Sequence, residues 1–391
     1  MRGTERRRRL RAAGLALGAA TVAAPVLSEV RVARSRRPLT GRWRELPVAD
    51  RGQTLTGISF RPRQAEAFGL APRAALRELL VYPFELVRLG AYWDRMEPGP
   101  GAFDPSELDW QLAAAQQAGK QVIICLGPVK TFGYPEYFVP RHHLPQPLPE
   151  TSLIRPGTHP ALLAAGTAFI TRVVARYAGC PAVVAWQVEH EAVDPLGLEH
   201  SWRLSAGYVS AEVAAVRAAD PTRPVMMNGF VPTSTPVRLM QWWRSRDQGD
   251  SLAVAQRLAD IAGLDFYPRH ALAARGGTAV YLGGSRHPWQ GRWRRATRWA
   301  AAAPGRRVMV AEGQAEPWEA VTSPPSPPAA VMYSCRPEDL IRTWNECLHA
   351  GRMLPGGLWA YLFWGAEYWL LRRQQGDGSY LGAFARVLAG G

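Results

Sequence analysis

Lysine is almost missing from this chain of 391 residues. Lys120 and Lys130 are the only two, although lysine and arginine together number 47 against 32 acidic residues. The formal charge of +15 is therefore carried by arginine, which is abundant alongside alanine, glycine and proline, as a GC-rich coding bias produces. A basic balance ordinarily invites nucleic acid or an anionic surface. Here the arginines beyond two N-terminal clusters, RRRRLR and ARSRR, form no stripe interleaved with aromatics, and no helix-turn-helix, zinc-finger or RNA-binding signature is present. No nucleic-acid partner is expected. Cysteine is scarce as well: Cys125, Cys180, Cys335 and Cys347 make no C-x-x-C pair and no zinc-type spacing with histidine. Cys125 lies in the apolar run VIICLG and reads as core; a Cys335 to Cys347 disulfide is left open. The histidines of RHH (141–143) and YPRH (267–270) lack the i, i+4 or carboxylate spacing of a metal site, so neither metal nor cofactor is expected.

At 47% hydrophobic and 20% charged the chain is globular, in one large domain or two. Its N-terminus, MRGTERRRRLRAAGLALGAATVAAPVLSEV, has a basic start, a weakly apolar stretch and small residues near VAAPV. That pattern is similar to an export signal of the twin-arginine kind and is too short and too rich in Gly and Ala for a membrane span. Arg31, Arg34, Arg36 and Arg37 follow closely and oppose translocation. Export or membrane tethering through this segment is favoured, with a basic tail on a cytoplasmic protein as the alternative. Membrane contact is expected only through it, oligomeric state is left open, and residues 1–45 are set outside the fold, which takes 46–391.

From residue 54 short apolar runs alternate with amphipathic segments. The runs are LTGISF (55–60), ELVRLGAYW (85–93), QVIICLG (121–127), AVVAWQVEHE (182–191), PVMMNGF (224–230), IAGLDFYP (261–268), RVMVAEGQ (307–314) and GLWAYLFWG (357–365). Helix candidates between them include SELDWQLAAAQQAGK, HPALLAAGTAFITRVVARYAG and RPEDLIRTWNECLHAG, the last two closing on a Gly that suits a helix C-terminus. Eight such β-like runs separated by helices predict an α/β chain forming a single (β/α)8 TIM barrel. The competing open doubly wound sheet usually carries a Gly-rich phosphate turn after its first strand, and GISFRPRQAEAFG is not one.

Strand alternation sorts the fourth run into an apolar face, Ala182, Val184, Trp186 and Val188, and a second face of Val183, Ala185, Gln187, Glu189 and Glu191 that turns polar at its end. In the seventh run Val308, Val310 and Glu312 share a face, with Glu312 last. Catalytic residues of such barrels gather at the C-terminal ends of strands. Two carboxyl groups ending different strands suit retaining glycoside hydrolysis, where one protonates the leaving oxygen and the other, ~5 Å away, attacks the anomeric carbon.

These motifs resemble the clan A glycoside hydrolase superfamily, which includes family 5 cellulases and family 35 and 42 β-galactosidases. AWQVEHE is similar to its WQVENE with His in the Asn place; VMVAEGQAEPW resembles its strand-seven region, VRLGAYWDRMEPGPGAFD its strand-two and loop pattern, and AGLDFYP its strand six. The resemblance spans roughly residues 54–383 and matches no single family. It implies a retaining glycosidase acting on a carbohydrate, with Glu191 as acid/base and Glu312 as nucleophile. A sugar-binding barrel without catalysis is the alternative that His190 keeps open.

Further residues have two readings each. Glu189 reads as a buried partner of Arg88; Arg88 in turn either pairs with Glu189 or reaches Glu312, as the superfamily's strand-two Arg does. His190 is expected to donate to the sugar 2-hydroxyl or, if charged, to hold Glu191 ionised. Tyr267 shares a face with Asp265 and either bonds the nucleophile or packs in the core. Trp318 and Trp364 are candidate sugar platforms, and Lys130, Tyr134 and Glu136 candidate sugar contacts on the long loop 128–160. A second long loop, 315–335, follows the seventh run.

Overall fold

A computed structural model describes residues 29–34, 41–133, 137–194, 202–245, 247–275, 278–283, 286–317 and 334–390. Each of the eight apolar runs contains a strand, and the eight close into a parallel barrel. In chain order they are β1 (Leu55–Ser59), β2 (Leu86–Gly90), β3 (Gln121–Cys125), β4 (Val183–Gln187), β5 (Val225–Val231), β6 (Ile261–Phe266), β7 (Arg307–Gln314) and β8 (Ala360–Trp364). β8 pairs with β1 to close the ring. The expected helices form at Ser106–Gln117, Pro160–Tyr177 and Pro337–Gly351, each on the barrel's outer layer. Trp186, Val87 and Leu264 point to that layer and belong to one apolar cluster with helix residues such as Phe169 and Trp344. A parallel barrel strand needs exactly this double burial, which is why the runs are nearly continuous in apolar residues.

The barrel interior is a separate cluster built from Leu86, Ile123, Ala185, Met226, Ile261, Met309, Ala311, Ala360 and Leu362. Gly263 belongs to the tightly packed part of it, since a Cβ there would lie 2.7 Å from the Met226 methyl and 2.8 Å from the Ala311 Cβ. One step toward the C-terminal ends the inward residues become polar: Ser59, Arg88, Gln187, Asn228, Asp265 and Glu312, all buried. Below is a hydrocarbon plug, and above it a ring of hydrogen-bonding groups shielded from water.

Two local departures from alternation matter for that ring. β7 pairs with β6 through Val310 opposite Leu264 and then Glu312 opposite Asp265, so Ala311 is an extra residue in the ladder. Val308 and Val310 therefore face the helices, and the bulge turns Glu312 inward; the shared face that alternation assigned to the three is corrected accordingly. In β4 a similar shift at Val184 places Val183 with the helix layer and Ala185 inside. The strand also ends at Gln187, so Glu189 and Glu191 lie beyond it and not on its face.

The segment Val30–Arg34, set outside the fold from sequence, pairs antiparallel with Thr278–Gly283, which pairs in turn with Arg269–Arg275. This small sheet follows β6. The Gly41–Arg44 turn packs near the last helix, where Arg386 donates to the Trp43 carbonyl at 2.8 Å. The four cysteines are free, so the disulfide left open between Cys335 and Cys347 is not formed. No helix among the described residues is long and apolar enough to cross a membrane.

Candidate active site

The polar ring is held together by the Arg88 guanidinium. Its Nε donates to Ser59 Oγ at 2.9 Å, Nη1 to Gln187 Oε1 at 3.2 Å and Nη2 to Glu312 Oε1 at 2.6 Å. Gln187 Nε2 passes the chain on to Asn228 Oδ1 at 3.0 Å, and Asn228 Nδ2 to Asp265 Oδ2 at 2.7 Å. Strands β1, β2, β4, β5, β6 and β7 are thus tied by side chains at one level. Of the two partners open to Arg88 from sequence, Glu312 is the one it meets.

Glu312 receives two more donors. His190 Nε2 lies 2.9 Å from Glu312 Oε1, and the Tyr267 hydroxyl bonds Oε2. An ionised carboxylate only accepts, so Nε2 carries the proton in that contact. Burial by itself would raise the Glu312 pKa, but the charges of His190 and Arg88 and the bonds from His190 and Tyr267 outweigh it and hold the carboxyl well below its ordinary range. His190, a candidate contact for a sugar 2-hydroxyl, has its Nε2 on Glu312.

Asp265 behaves in the opposite way. Burial, then the negative charges of Glu312 and Glu191, raise its pKa well above the ordinary value, against the pull of Arg88, and it hydrogen-bonds Glu191. The direction of that shift puts a proton on Asp265, beside Glu191. One barrel mouth therefore carries a carboxylate held ionised, Glu312, and a carboxyl held protonated, Asp265, and groups pushed apart in this way suit acid/base chemistry.

Glu191 reaches this position through strained backbone. Glu189 and Glu191 have φ of 54° and 43°, in the left-handed region that costs a non-glycine residue about 1–2 kcal/mol. The loop after β3 supplies the restraint. The Glu189 carboxylate accepts from the backbone N–H of Val129 at 3.1 Å and of Lys130 at 2.6 Å, and His190 N donates to the Lys130 carbonyl at 2.9 Å. The Lys130 ammonium, fully buried, donates to the carbonyls of Glu191 at 2.8 Å and Asp194 at 3.0 Å. Lys130, a candidate sugar contact, is placed by these bonds beneath the Glu191 backbone. Glu189, expected on Arg88, is a clasp between two loops. Behind it lies Glu212 of the helix Ala206–Ala219, fully buried; burial and the Glu189 charge raise the Glu212 pKa.

Trp364 ends β8 with its indole partly exposed. The Arg61 guanidinium stands 4.3 Å from its ring centroid, and the His190 ring lies parallel to it at 6.4 Å. Arg61 is fixed by bidentate bonds to Glu316 at 2.7 and 2.8 Å and by a 2.6 Å bond to Glu367. Trp318, Tyr134, Glu136 and most of the loop 315–335 lie outside the described residues.

Two clusters among the described residues offer three metal-donor groups: His190, Glu191 and Asp265, and Glu97, His142 and His143. In the second, both imidazole Nε2 atoms lie 2.8 Å from the same Glu97 oxygen, and Trp93 Nε1 donates to the other at 2.7 Å. Ligand atoms sharing an ion at about 2.0–2.1 Å stand farther apart than that, so this is a hydrogen-bonded clasp of the 128–160 loop. Sequence spacing missed it because Glu97 is 45 positions from His142.

No family model matches the chain, and neither does any curated protein. Among solved structures it is similar to GH5_18 from Streptomyces cattleya in complex with Manβ1-4GlcNAc, with a TM-score of 0.50 and 15% identity over 80% of this chain and 70% of that one. GH10 from Paenibacillus barcinonensis gives 0.48 and 16%, over 82% and 87%. A β-galactosidase from Bacillus circulans sp. alkalophilus gives 0.47 and 10%, over 80% and 50%. At these identities the likeness is one of fold, that of a (β/α)8 barrel.

Proposed function

We propose that the chain is a retaining glycosidase, with Glu312 as nucleophile and Glu191 as acid/base. The observation that carries this reading is the treatment of Glu312, a buried carboxylate at the barrel mouth given three donors and two positive neighbours. A structural carboxylate at a strand end needs one partner; a nucleophile must stay ionised and aimed. In the first step a Glu312 oxygen attacks the anomeric carbon, the bond to the leaving oxygen breaks, and that oxygen takes the proton from Glu191. In the second, Glu191 removes a proton from water, the water oxygen attacks the same carbon, and Glu312 departs as carboxylate. Asp265, kept protonated by burial and its acidic neighbours, stands beside Glu191. Trp364 supplies an aromatic face for the ring, and Arg88, His190 and Tyr267 act by positioning Glu312. No cofactor enters either step. The neighbour's complex with Manβ1-4GlcNAc supports a carbohydrate as the substrate class.

The test is a panel of aryl glycosides assayed with wild type, Glu312→Ala and Glu191→Ala. Turnover of at least one by wild type, abolished in Glu312→Ala with the melting temperature kept, is the expected result. Saccharide binding without turnover in the wild type would instead favour a sugar-binding barrel.

A further inference from the structure

The helix Thr235–Ser245, which follows β5, is built inside out. Its inward stripe is Val237, Gln241 and Ser245, spaced by four, and the two polar members are buried: Gln241 Nε2 reaches Asp194 Oδ2 at 3.2 Å and the Ser245 hydroxyl donates to the Gln241 carbonyl at 2.7 Å. Its outward face holds Leu239, Met240, Trp242 and Trp243, at 54%, 41%, 60% and 61% exposure. A globular helix orders these the other way. Elsewhere among the described residues the exposed large hydrophobics are only Val32, Val81 and Met353.

Two more observations identify what lies against this face. The helix carries Arg238 and Arg244, both exposed, and no acidic residue. Tryptophan with arginine on an outward face is the composition of a helix lying in a bilayer interface. Next, the chain enters the described structure at this helix. The Glu29 carboxylate accepts from the Ser234 hydroxyl at 2.6 Å and from the Thr235 N–H at 3.0 Å, at the helix's first residue, and Val32 stands exposed just beyond. Preceding Glu29 is the arginine-rich and then apolar sequence of residues 1–28. At about 16 Å the helix is too short to span a bilayer and long enough to lie along one.

We propose that the outward face of Thr235–Ser245 docks on an anionic lipid bilayer, beside the point where the N-terminal segment reaches the fold. This is a contact additional to that segment and independent of the glycosidase reading. The test is flotation of the full chain with vesicles of phosphatidylcholine alone or with phosphatidylglycerol, for wild type, for Leu239→Ser/Trp242→Ser/Trp243→Ser and for Trp242→Phe/Trp243→Phe. Wild type should float with the anionic vesicles and at least tenfold less with neutral ones. The serine variant should lose tenfold or more of that binding at unchanged melting temperature, and the phenylalanine variant should keep most of it. A serine variant that floats like wild type would mean that residues 1–28 act alone, and the proposal would fail. It would fail equally if wild type did not bind, or if the substitutions turned a dimer into a monomer on size-exclusion chromatography, since the face would then belong to a second copy.

Discussion

Lys130→Met separates a brace from a sugar contact. The ammonium is fully buried and serves the carbonyls of Glu191 and Asp194, and methionine replaces its length without its donors. Each carbonyl left unpaired in a dry site costs about 1–3 kcal/mol, and the pair about 2–6 kcal/mol. Some of this is recovered where water enters, so a loss near 3 kcal/mol is expected. For a chain of this size one kcal/mol moves the melting temperature by about 2 °C, so Tm should fall by about 6 °C. Glu191 would also lose the tie that holds its carbonyl in left-handed backbone, so kcat should drop at least tenfold. Thermal melts and steady-state kinetics on the same preparation measure both. If Lys130 touched the sugar instead, KM would rise while Tm stayed within about 1 °C of wild type. That outcome would refute the bracing role.

Glu212→Gln keeps the shape of the side chain but cannot titrate. Because the folded pKa of Glu212 lies above its unfolded value, its contribution to stability is complete below the unfolded value and is lost as pH rises through the folded one. The substitution should flatten the fall of Tm on the alkaline side, and an unchanged Tm profile against pH would show that Glu212 carries no proton there. Tyr267→Phe removes one of the donors that depress Glu312, so the acid limb of kcat/KM should move to higher pH, with kcat about tenfold lower; a static limb would remove Tyr267 from the nucleophile's support. Deleting Ala311 should close the bulge and leave Glu312 directly after Val310, still inward and opposite Asp265, so a folded protein should keep measurable turnover; a folded protein without turnover would show that the bulge itself aims Glu312.

The barrel was legible because double burial writes each parallel strand as an apolar run, and all eight runs carry one. The orientation of the site residues was not. Alternation assumes one residue per rung, and it fails where Ala311 adds one and where φ at Glu189 and Glu191 becomes positive. Glu312 faces the mouth although its parity with Val310 sends it outward, so that expectation of a mouth position rested on a period the strand does not keep. Partners distant in the chain were hidden for a different reason. A buried lysine, glutamate or histidine has the same letter whether it meets a sugar or a carbonyl, and only the fold sets Lys130 under Glu191 and Glu97 beside His142 and His143. Asn228 and Asp265 were missed because each sits within an apolar run, where a single polar residue pointing inward is the signal that was available.

The claim that Glu312 forms a covalent glycosyl-enzyme has a direct measurement. A substrate from the active aryl glycosides, with fluorine in place of the 2-hydroxyl and a good leaving group, slows the second step more than the first and lets the intermediate accumulate. After incubation and proteolysis, mass spectrometry should find one fluoroglycosyl group on the peptide holding Glu312, and none on Glu312→Ala. A label on Glu191, or steady turnover of the parent glycoside with inversion at the anomeric carbon, would contradict the account.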